Sequence, residues 1–336
     1  MAVNRKDHLD YYWVGFDLAK LTFQAALWGH QTFPEMKAQT FDRTRKAMKQ
    51  ALAWFRAEAP QGARLAVVME ATATFGEEVA CWLLDLDPTL RVAIVNPGQT
   101  SAFIKSLGLR NKTDDLDAKA LAKYGFERNP IPWERPSPEM AVLKDLVRVR
   151  ADLVRTRTGM KNRLSDHERS SKTATKAMKR LIQTLDRQIQ ALELAIKQHL
   201  AEHKPLQDQI KRFLSITGIG PVVATTVLVE LGDLRRFLRS RQLTAFAGLS
   251  PRRRESGTSL HGKTRMCKQG SGRVRAELYM AAGAAIQHNP DMKAAYESLL
   301  ARGKTKRAAQ GAIMRKLLVL MRAVLKADQD WVRRAA

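Results

Sequence analysis

Short apolar runs separated by amphipathic segments dominate the first third of the chain. Residues 11–17 and 22–28 are rich in strand-forming side chains, which predicts two strands of a hairpin. Residues 64–70 and 91–95 are almost continuously apolar, as is typical of central strands buried on both faces. Helical spacing of apolar residues between these runs predicts outer helices. This region is therefore expected to be an α/β domain, a mixed sheet with helices outside.

A proline-rich boundary at residues 130–138 precedes a long helical region. There, apolar positions recur in alternating steps of four and three. The two series are Val142, Leu146, Val149, Leu153, Thr156 and Met160, then Met178, Ile182, Leu185, Ile189, Leu192 and Ile196. Such a heptad seam predicts a central coiled coil, formed either as a helical hairpin or between subunits.

The remaining pattern is helical and rich in alanine, which predicts a mainly helical C-terminal domain. Residues 215–221, SITGIGP, separate two helical segments and resemble a helix-hairpin-helix turn. Its glycines would let backbone N–H groups approach a phosphate, although a turn used only for packing explains the residues equally well. The predicted domains are residues 1–136, 137–204 and 205–336.

Charge changes this picture, because 58 Lys and Arg face 33 Asp and Glu and give a net charge of +25. This excess indicates a polyanionic partner, most simply nucleic acid. A basic protein of a membrane surface is the competing interpretation, but neither a transmembrane run nor a signal segment is visible, so no membrane partner is expected. Two distant cysteines, Cys81 and Cys267, suit a reducing cytoplasm. The seven histidines are expected to show no metal-ligand spacing.

Four carboxylates occur where a phosphoryl-transfer site would need them. Asp17 and Glu70 end two predicted strands, at the edge of the sheet where ligands bind. Asp114 and Asp117 lie three apart at the start of a predicted helix and share a face, whereas Asp115 is directed elsewhere. Together these four could hold Mg²⁺ beside a phosphate. The alternative is that they are solvated strand ends and acids that stabilise a helix N-terminus.

A basic segment contains a second candidate. From residue 235 to 275 there are twelve Lys and Arg and one acid, with Ser256 at a predicted turn. Serine needs activation to act as a nucleophile, so residue types alone favour a hydroxyl that only binds phosphate. Candidate nucleic-acid contacts are Arg110, Lys112, Arg252, Arg253, Arg254, Lys263, Arg265, Lys268, Arg273 and Arg275. The predicted coiled coil adds Arg148, Arg150, Arg155, Arg157, Lys161 and Arg163.

Several short motifs occur in a characteristic order along nearly the whole chain. They are residues 15–17 (GFD), 70–72 (EAT), 96–97 (NP), 108–114 (GLRNKTD), 117–118 (DA), 218–220 (GIG), 246–253 (FAGLSPRR) and 255–257 (ESG). With these motifs the chain resembles the transposases of the insertion-sequence one-ten family, which are recombinases guided by a bridge RNA.

The resemblance implies an N-terminal RuvC-like (RNase H-like) domain with a DEDD carboxylate set, a coiled coil and a C-terminal serine domain. By position, the carboxylates are Asp17, Glu70, Asp114 and Asp117, and the serine nucleophile is Ser256. It also implies Mg²⁺ at the carboxylates and a phosphoserine link to DNA. A structured RNA would pair with target and donor double-stranded DNA, and a homotetramer would form composite active sites. The expected location is the bacterial cytoplasm, at the nucleoid during the reaction.

Two other functions fit the same residues. A nuclease of the Holliday-junction type would use the four carboxylates to hydrolyse DNA with water, and Ser256 would only bind phosphate. A non-enzymatic nucleic-acid-binding protein would use the carboxylates as ion-pair partners for its many arginines.

Overall fold

The protein is described by a computed structural model over residues 11–28, 36–71, 75–108, 113–167, 171–256 and 260–332. At residues 166–167, 253–256 and 260–264 only the backbone is described. The chain divides into two compact units, Met1–Arg135 and Pro136–Ala336.

The first unit is a mixed α/β structure, as the sequence predicts. Its strands are β1 (Tyr11–Leu18), β2 (Thr22–Trp28), β3 (Ala38–Asp42), β4 (Arg64–Glu70) and β5 (Arg91–Val95). Its helices are α1 (Arg45–Glu58), α2 (Phe75–Leu86), α3 (Pro97–Ser106) and α4 (Asp114–Arg128). The sheet order is β3-β2-β1-β4-β5, antiparallel on the β2 side of β1 and parallel on the β4 side. This five-stranded mixed sheet is consistent with an RNase H-like domain.

Alternate residues of the central strands supply two separate cores. Val14 and Phe16 lie in the core that includes Phe55 of α1 and Leu83 of α2. Trp13 lies in the opposite core, with aromatic residues of α3 and α4. Because both faces of β1 are covered, its sequence is apolar at nearly every position.

Helix α4 packs on β1 at unusually short range. A Cβ on Gly15 would lie 2.1 Å from the Ala118 carbonyl oxygen and 2.3 Å from the Ala122 amide nitrogen. A Cβ on Gly125, further along α4, would lie 2.3 Å from the Trp13 ring. Since contacts move back along α4 as β1 advances, the helix runs antiparallel to the strand. Its N-terminus is therefore directed towards the C-terminal end of β1.

Substituting Gly15 by alanine should displace α4, because the atoms the new methyl group would meet are backbone atoms. We expect a loss of about 1–3 kcal/mol in the free energy of unfolding, the usual cost of overpacking. Thermal denaturation of the purified protein measures it. Gly159→Ala is the matched control, since nothing lies within 4 Å of that added Cβ. Equal melting temperatures for the two variants would contradict the close packing of α4 on β1.

The second unit is mainly helical. Its helices are α5 (Pro138–His167), α6 (Lys172–Glu202), α7 (Lys204–Leu214), α8 (Pro221–Leu231), α9 (Ser240–Phe246), α10 (Gly272–His288), α11 (Pro290–Ala301) and α12 (Lys306–Ala327), with a 3₁₀ turn at Leu234–Arg236. Two strands, β6 (Pro251–Ser256) and β7 (Leu260–Met266), form an antiparallel hairpin that the sequence analysis did not predict. Among the described helices, none combines the length and apolar character needed to cross a membrane.

Helices α5 and α6 form an antiparallel pair within the chain. Arg150 Nη2 lies 2.6 Å from Glu193, and Arg157 Nη1 lies 2.8 Å from Asp186, so ascending positions on α5 meet descending positions on α6. This arrangement agrees with the hairpin alternative. The coiled coil itself and an association between subunits stay predictions.

The predicted seam is correct on α6 and partly wrong on α5. Four of the α6 seam positions are buried, namely Ile182, Leu185, Ile189 and Ile196. On α5, Val142 and Val149 are about half exposed, at 48% and 49%, whereas Leu143 and Val147 are buried. The reason is that Leu143 and Val147 belong to the large core shared with α8, α10 and α12, which draws a different face of α5 inwards.

The turn between α7 and α8 packs closely against α10. Gly218 has a φ of +103°, and a Cβ there would lie 2.6 Å from Cβ of Ala285 on α10. The Asn289 side-chain amide donates to the Thr217 carbonyl at 3.2 Å. These contacts favour the packing alternative for this Gly-x-Gly turn. A phosphate contact at the turn stays a prediction.

Candidate active site

Asp17 and Glu70 lie side by side at one end of the sheet. Strands β1 and β4 are parallel, and their register pairs Phe16 with Met69. Asp17 directly follows Phe16, and Glu70 directly follows Met69. Both acids therefore lie at the C-terminal ends of neighbouring strands. In parallel strands, residues at matched positions project to the same face. Both acids are partly exposed.

Asp17 and Glu70 project to the side of the sheet covered by α3 and α4. Asp17 is two positions from Gly15, which contacts α4. Glu70 is two positions from Val68, whose methyl group lies near Gly125 of the same helix. Since side chains two apart in a strand share a face, the sheet directs both carboxylates towards α4.

Helix α4 brings two further carboxylates to this end of the sheet. Gly15 is level with residues 118–122, and Asp17 is about 6.6 Å further along the strand. Four residues of helix rise about 6 Å, which places the first turn of α4, with Asp114 and Asp117, level with Asp17. The backbones of these four residues therefore lie near the same edge of the sheet, and their joint role in catalysis stays a prediction.

Local interactions fix the start of α4 and separate Asp115 from the other acids. Thr113 is the N-cap, and its hydroxyl oxygen accepts from the Leu116 amide at 3.3 Å. Asp115 forms an ion pair with Lys119 one turn later, at 2.8 Å. The Asp115 carboxylate is therefore held by this ion pair on the surface of the helix.

Thr100 is a residue of this site that the sequence analysis missed. It is completely buried on α3, and its hydroxyl donates a hydrogen bond to Oε1 of Glu70. Helix α3 begins at Pro97 with Asn96 as its cap, and the Asn96 side chain accepts from the Gly98 amide at 2.8 Å. The cap fixes the start of the helix one turn before Thr100. It thereby also fixes the position of the Thr100 hydroxyl, which orients Glu70.

The donor set of this edge suits a hard divalent cation. Carboxylate oxygens from β1, β4 and α4 are the ligands that Mg²⁺ and similar ions prefer in proteins. Bringing four acids to one edge costs electrostatic repulsion, which a bound cation offsets. Asp17, Glu70, Asp114 and Asp117 are the residues that would hold it.

Ser256 ends β6 at the tip of the β6–β7 hairpin. Its backbone pairs with Leu260, and residues 257–259 between them lie outside the described residues. The predicted turn at Ser256 is consistent with this position. The hairpin itself escaped prediction because neither strand alternates apolar and polar residues.

Some of the predicted nucleic-acid contacts are exposed, and others lie outside the described residues. Arg252 and Arg265 are exposed and occupy paired positions of the hairpin, and Lys268 is exposed beyond β7. Arg110 and Lys112 lie outside the described residues, as do the side chains of Arg253, Arg254 and Lys263.

Several other predicted basic contacts have partners within the chain. Arg273 donates to Asp152 at 3.0 Å, and Arg275 donates to the Gly270 carbonyl at 2.7 Å. Arg148 lies 2.9 Å from Glu230, whose side chain is 8% exposed and also accepts from Ser271. The expected basic face of α5 is thus partly used for ion pairs that hold the second unit together. Lys161 and Arg163 remain exposed.

Helix α6 carries a basic surface that the sequence analysis did not single out. Lys172, Lys176, Lys179 and Arg180 are exposed and line one shallow groove. Lys172, Lys176 and Arg180 recur every four residues and therefore share one helix face. Lys179, three residues after Lys176, lies beside them on that face. This face is a further candidate for phosphate contacts.

A separate cluster corrects the expectation about the histidines. His199, Glu202 and His203 each offer a ligand atom, and these atoms all lie within 4.8 Å of one another. His199 and His203 are four positions apart, a spacing at which two ligands share a helix face. The expectation that the histidines lack metal-ligand spacing is wrong.

Comparison with known proteins assigns the chain to a family. Residues 14–170 match the DEDD family of IS110 transposases, described as Transposase. Residues 210–297 match a family described as Transposase IS116/IS110/IS902 family. The chain belongs to the IS110/IS116 family of transposases. It is therefore a DNA-cleaving recombinase of an insertion sequence, and the family resemblance seen in the motifs is confirmed.

Related proteins cover different shares of this transposase. The pilin gene-inverting protein of Moraxella bovis is 30% identical over 96% of this chain and 98% of its own length. The transposase for IS1111A of Coxiella burnetii is 27% identical over 58% of this chain and 59% of its own length. The transposase for IS1328 of Yersinia enterocolitica is 29% identical over 50% of this chain and 56% of its own length. DEDD transposases generally use divalent metal ions, which agrees with the donor set at the sheet edge.

Proposed function

We propose that this transposase cuts and rejoins DNA through a phosphoserine link formed by Ser256, under the direction of a bound RNA. The arrangement of Asp17, Glu70 and the first turn of α4 at one sheet edge supports the metal site of this proposal. The serine and RNA parts rest on the resemblance to the transposase family. The four carboxylates form the metal site, and Mg²⁺ is the proposed ion.

The chain's own residues prepare the carboxylate site. When bound, Mg²⁺ would neutralise charge on the phosphate and polarise it for attack. Thr100 holds Glu70 in one orientation through its hydroxyl. The close contact of α4 with Gly15 fixes the height of Asp114 and Asp117 along the sheet. A rigid carboxylate set of this kind needs little reorganisation during the reaction.

Ser256 is the proposed nucleophile. Its oxygen would bond to the scissile phosphorus while the bond from phosphorus to a DNA oxygen breaks, and the departing oxygen takes a proton. Because one phosphate ester replaces another, the bond energy is kept. A second DNA hydroxyl can then displace the serine and rejoin the strands without an external energy source. The basic hairpin residues would stabilise the charge that develops on the phosphate oxygens.

The partners are proposed from charge and family. The net charge of +25, the exposed basic face of α6 and the exposed Arg252 and Arg265 suit long polyanions. A structured bridge RNA would pair with target and donor DNA, so the protein itself would recognise mainly backbone shape. The proposed domain roles are carboxylate catalysis for residues 1–136, the coiled coil for 137–204 and serine chemistry for 205–336. A homotetramer would bring the two kinds of site together.

The test is recombination with purified components. Protein copurified with its RNA, after that RNA is sequenced, is mixed with donor and target DNA carrying the matching sequences. We expect joined products in Mg²⁺, none after chelation, and none with an RNA whose pairing segments are scrambled. Equal joining with the scrambled RNA would contradict the guiding role.

RNA binding should weaken steeply as salt rises. Each neutralised phosphate releases counterions, with a slope of about −0.7 per phosphate for single strands on a log–log plot. Filter binding across a salt series measures this slope for wild type, for Lys176→Gln/Lys179→Gln and for Asp115→Asn as control. We expect a shallower slope for the lysine variant alone. A flat plot for wild type would remove the electrostatic basis of RNA binding.

A further inference from the structure

The end of α6, in the second unit, gathers three potential metal ligands. His199 and Glu202 lie in the last turn of the helix, and His203 is its C-cap residue. The ligand atoms of the three residues lie within 4.8 Å of one another, and the two imidazole rings are 4.3 Å apart between centroids. Three donors from one helical turn can therefore meet at one ion.

Hydrogen bonds prepare both imidazoles for coordination. Nε2 of His199 lies 2.8 Å from the Glu139 carbonyl oxygen, and Nδ1 of His203 lies 2.7 Å from the His199 carbonyl oxygen. A carbonyl oxygen only accepts, so each of these nitrogens carries the proton. In the neutral ring the other nitrogen then keeps its lone pair. Metal-binding histidines commonly have this second hydrogen bond to a backbone carbonyl, which fixes the ring and its tautomer.

The cluster lies where α6 ends and α7 begins, since His203 is the C-cap of α6 and the N-cap of α7. The last carbonyls of α6 carry partial negative charge there, and the first amides of α7 carry partial positive charge. Glu139 lies in the first turn of α5, and its backbone carbonyl oxygen accepts a hydrogen bond from Nε2 of His199.

We propose that His199, Glu202 and His203 bind one zinc-like transition-metal ion that secures the α6–α7 junction. Two imidazoles and one carboxylate are a donor set typical of zinc, whereas Mg²⁺ prefers oxygen donors alone. Three protein ligands leave one position of a tetrahedral shell for water. Through the hydrogen bond between His199 and Glu139, the same ion would stiffen the contact between the start of α5 and the end of α6.

This site is separate in chemistry from the carboxylate edge. The residues Asp17, Glu70, Asp114 and Asp117 offer only oxygen donors, so competition with excess Mg²⁺ distinguishes the two sites. The inference does not depend on the proposed serine mechanism.

Binding of Co²⁺ and Zn²⁺ to the full-length, chelator-treated protein tests the site. In excess Mg²⁺, we expect one equivalent of Co²⁺ to give the intense visible absorption of a four-coordinate ion, which Zn²⁺ then displaces. His199→Asn, His203→Asn and Glu202→Gln should each weaken Zn²⁺ binding by more than the roughly 10–100-fold that loss of an outer-shell partner causes. His288→Asn is the control, since His288 is exposed in the last turn of α10.

Thermal melting separates loss of the ligand from loss of the fold. Without metal, the three variants should melt close to wild type, and Zn²⁺ should raise the melting temperature of wild type and His288→Asn alone. If one histidine variant fails to fold, Glu202→Gln and the wild-type Co²⁺ spectrum still decide. No Co²⁺ absorption in wild type, or undiminished Zn²⁺ binding by the folded variants, would overturn the proposal.

Discussion

Replacing Asp17 by asparagine is expected to abolish DNA strand cleavage while RNA binding survives. The amide keeps the shape of the side chain but removes the charge needed to hold a divalent ion beside the phosphate. We expect a loss of at least about 10³-fold in cleavage rate, similar to removing a group that stabilises transition-state charge. The same outcome is expected for Glu70→Gln, Asp114→Asn and Asp117→Asn. Single-turnover cleavage of labelled donor DNA measures it.

Asp115→Asn is the matched control for this series. It removes one carboxylate from the same helical turn, but Asp115 pairs with Lys119 at 2.8 Å along the helix surface. Its cleavage rate should stay within about threefold of wild type, because surface ion pairs contribute little. An inactive Asp115→Asn beside an active Asp114→Asn would show that the wrong acids of α4 have been assigned to the site.

Ser256→Ala is expected to lose both cleavage and rejoining, with RNA and DNA binding retained. Without the oxygen, no protein–DNA ester can form, and removal of a nucleophile costs on the order of 10⁶-fold in serine hydrolases. Cleavage and joined products are quantified on separate labelled substrates. A pre-cut substrate then shows whether joining fails independently of cleavage.

Neighbouring hydroxyls provide the controls for Ser256. Thr258→Ala and Ser259→Ala remove similar groups two and three positions later and should keep measurable activity. Robust cleavage by Ser256→Ala would favour hydrolysis with water, the chemistry of a nuclease. Inactivity of all three variants would show that activity depends on the shape of the hairpin tip and would not identify Ser256 as the nucleophile.

The central strands could be predicted because their apolar runs are visible in the sequence, whereas the joint role of the four acids stays a prediction. Residues 65–69 of β4 form a continuous apolar, buried run, and the spacing of Asp114 and Asp117 predicts a common helix face. Strand β3 gave no such signal, since it is a short, largely exposed edge strand with Phe41 as its buried residue.

Features that depend on tertiary contacts escaped prediction. Thr100 matters because α3 carries it to Glu70, thirty residues away in sequence. The predicted seam of α5 is partly wrong because this helix packs against both α6 and the core around α8, whereas a heptad pattern describes one partner. The spacing of His199 and His203 was visible in the sequence, but its meaning depends on the helix end and the carbonyls around it.

The most direct test of the central claim is the detection of a covalent protein–DNA adduct. Wild-type protein, its RNA, Mg²⁺ and labelled donor DNA are quenched in denaturant and separated on a denaturing gel. The proposed mechanism predicts a slow-migrating labelled band that disappears with protease and is absent with Ser256→Ala and Asp17→Asn. Mass spectrometry should place the phosphate on Ser256. Cleaved DNA with free phosphate ends and no adduct in wild type would contradict the serine mechanism.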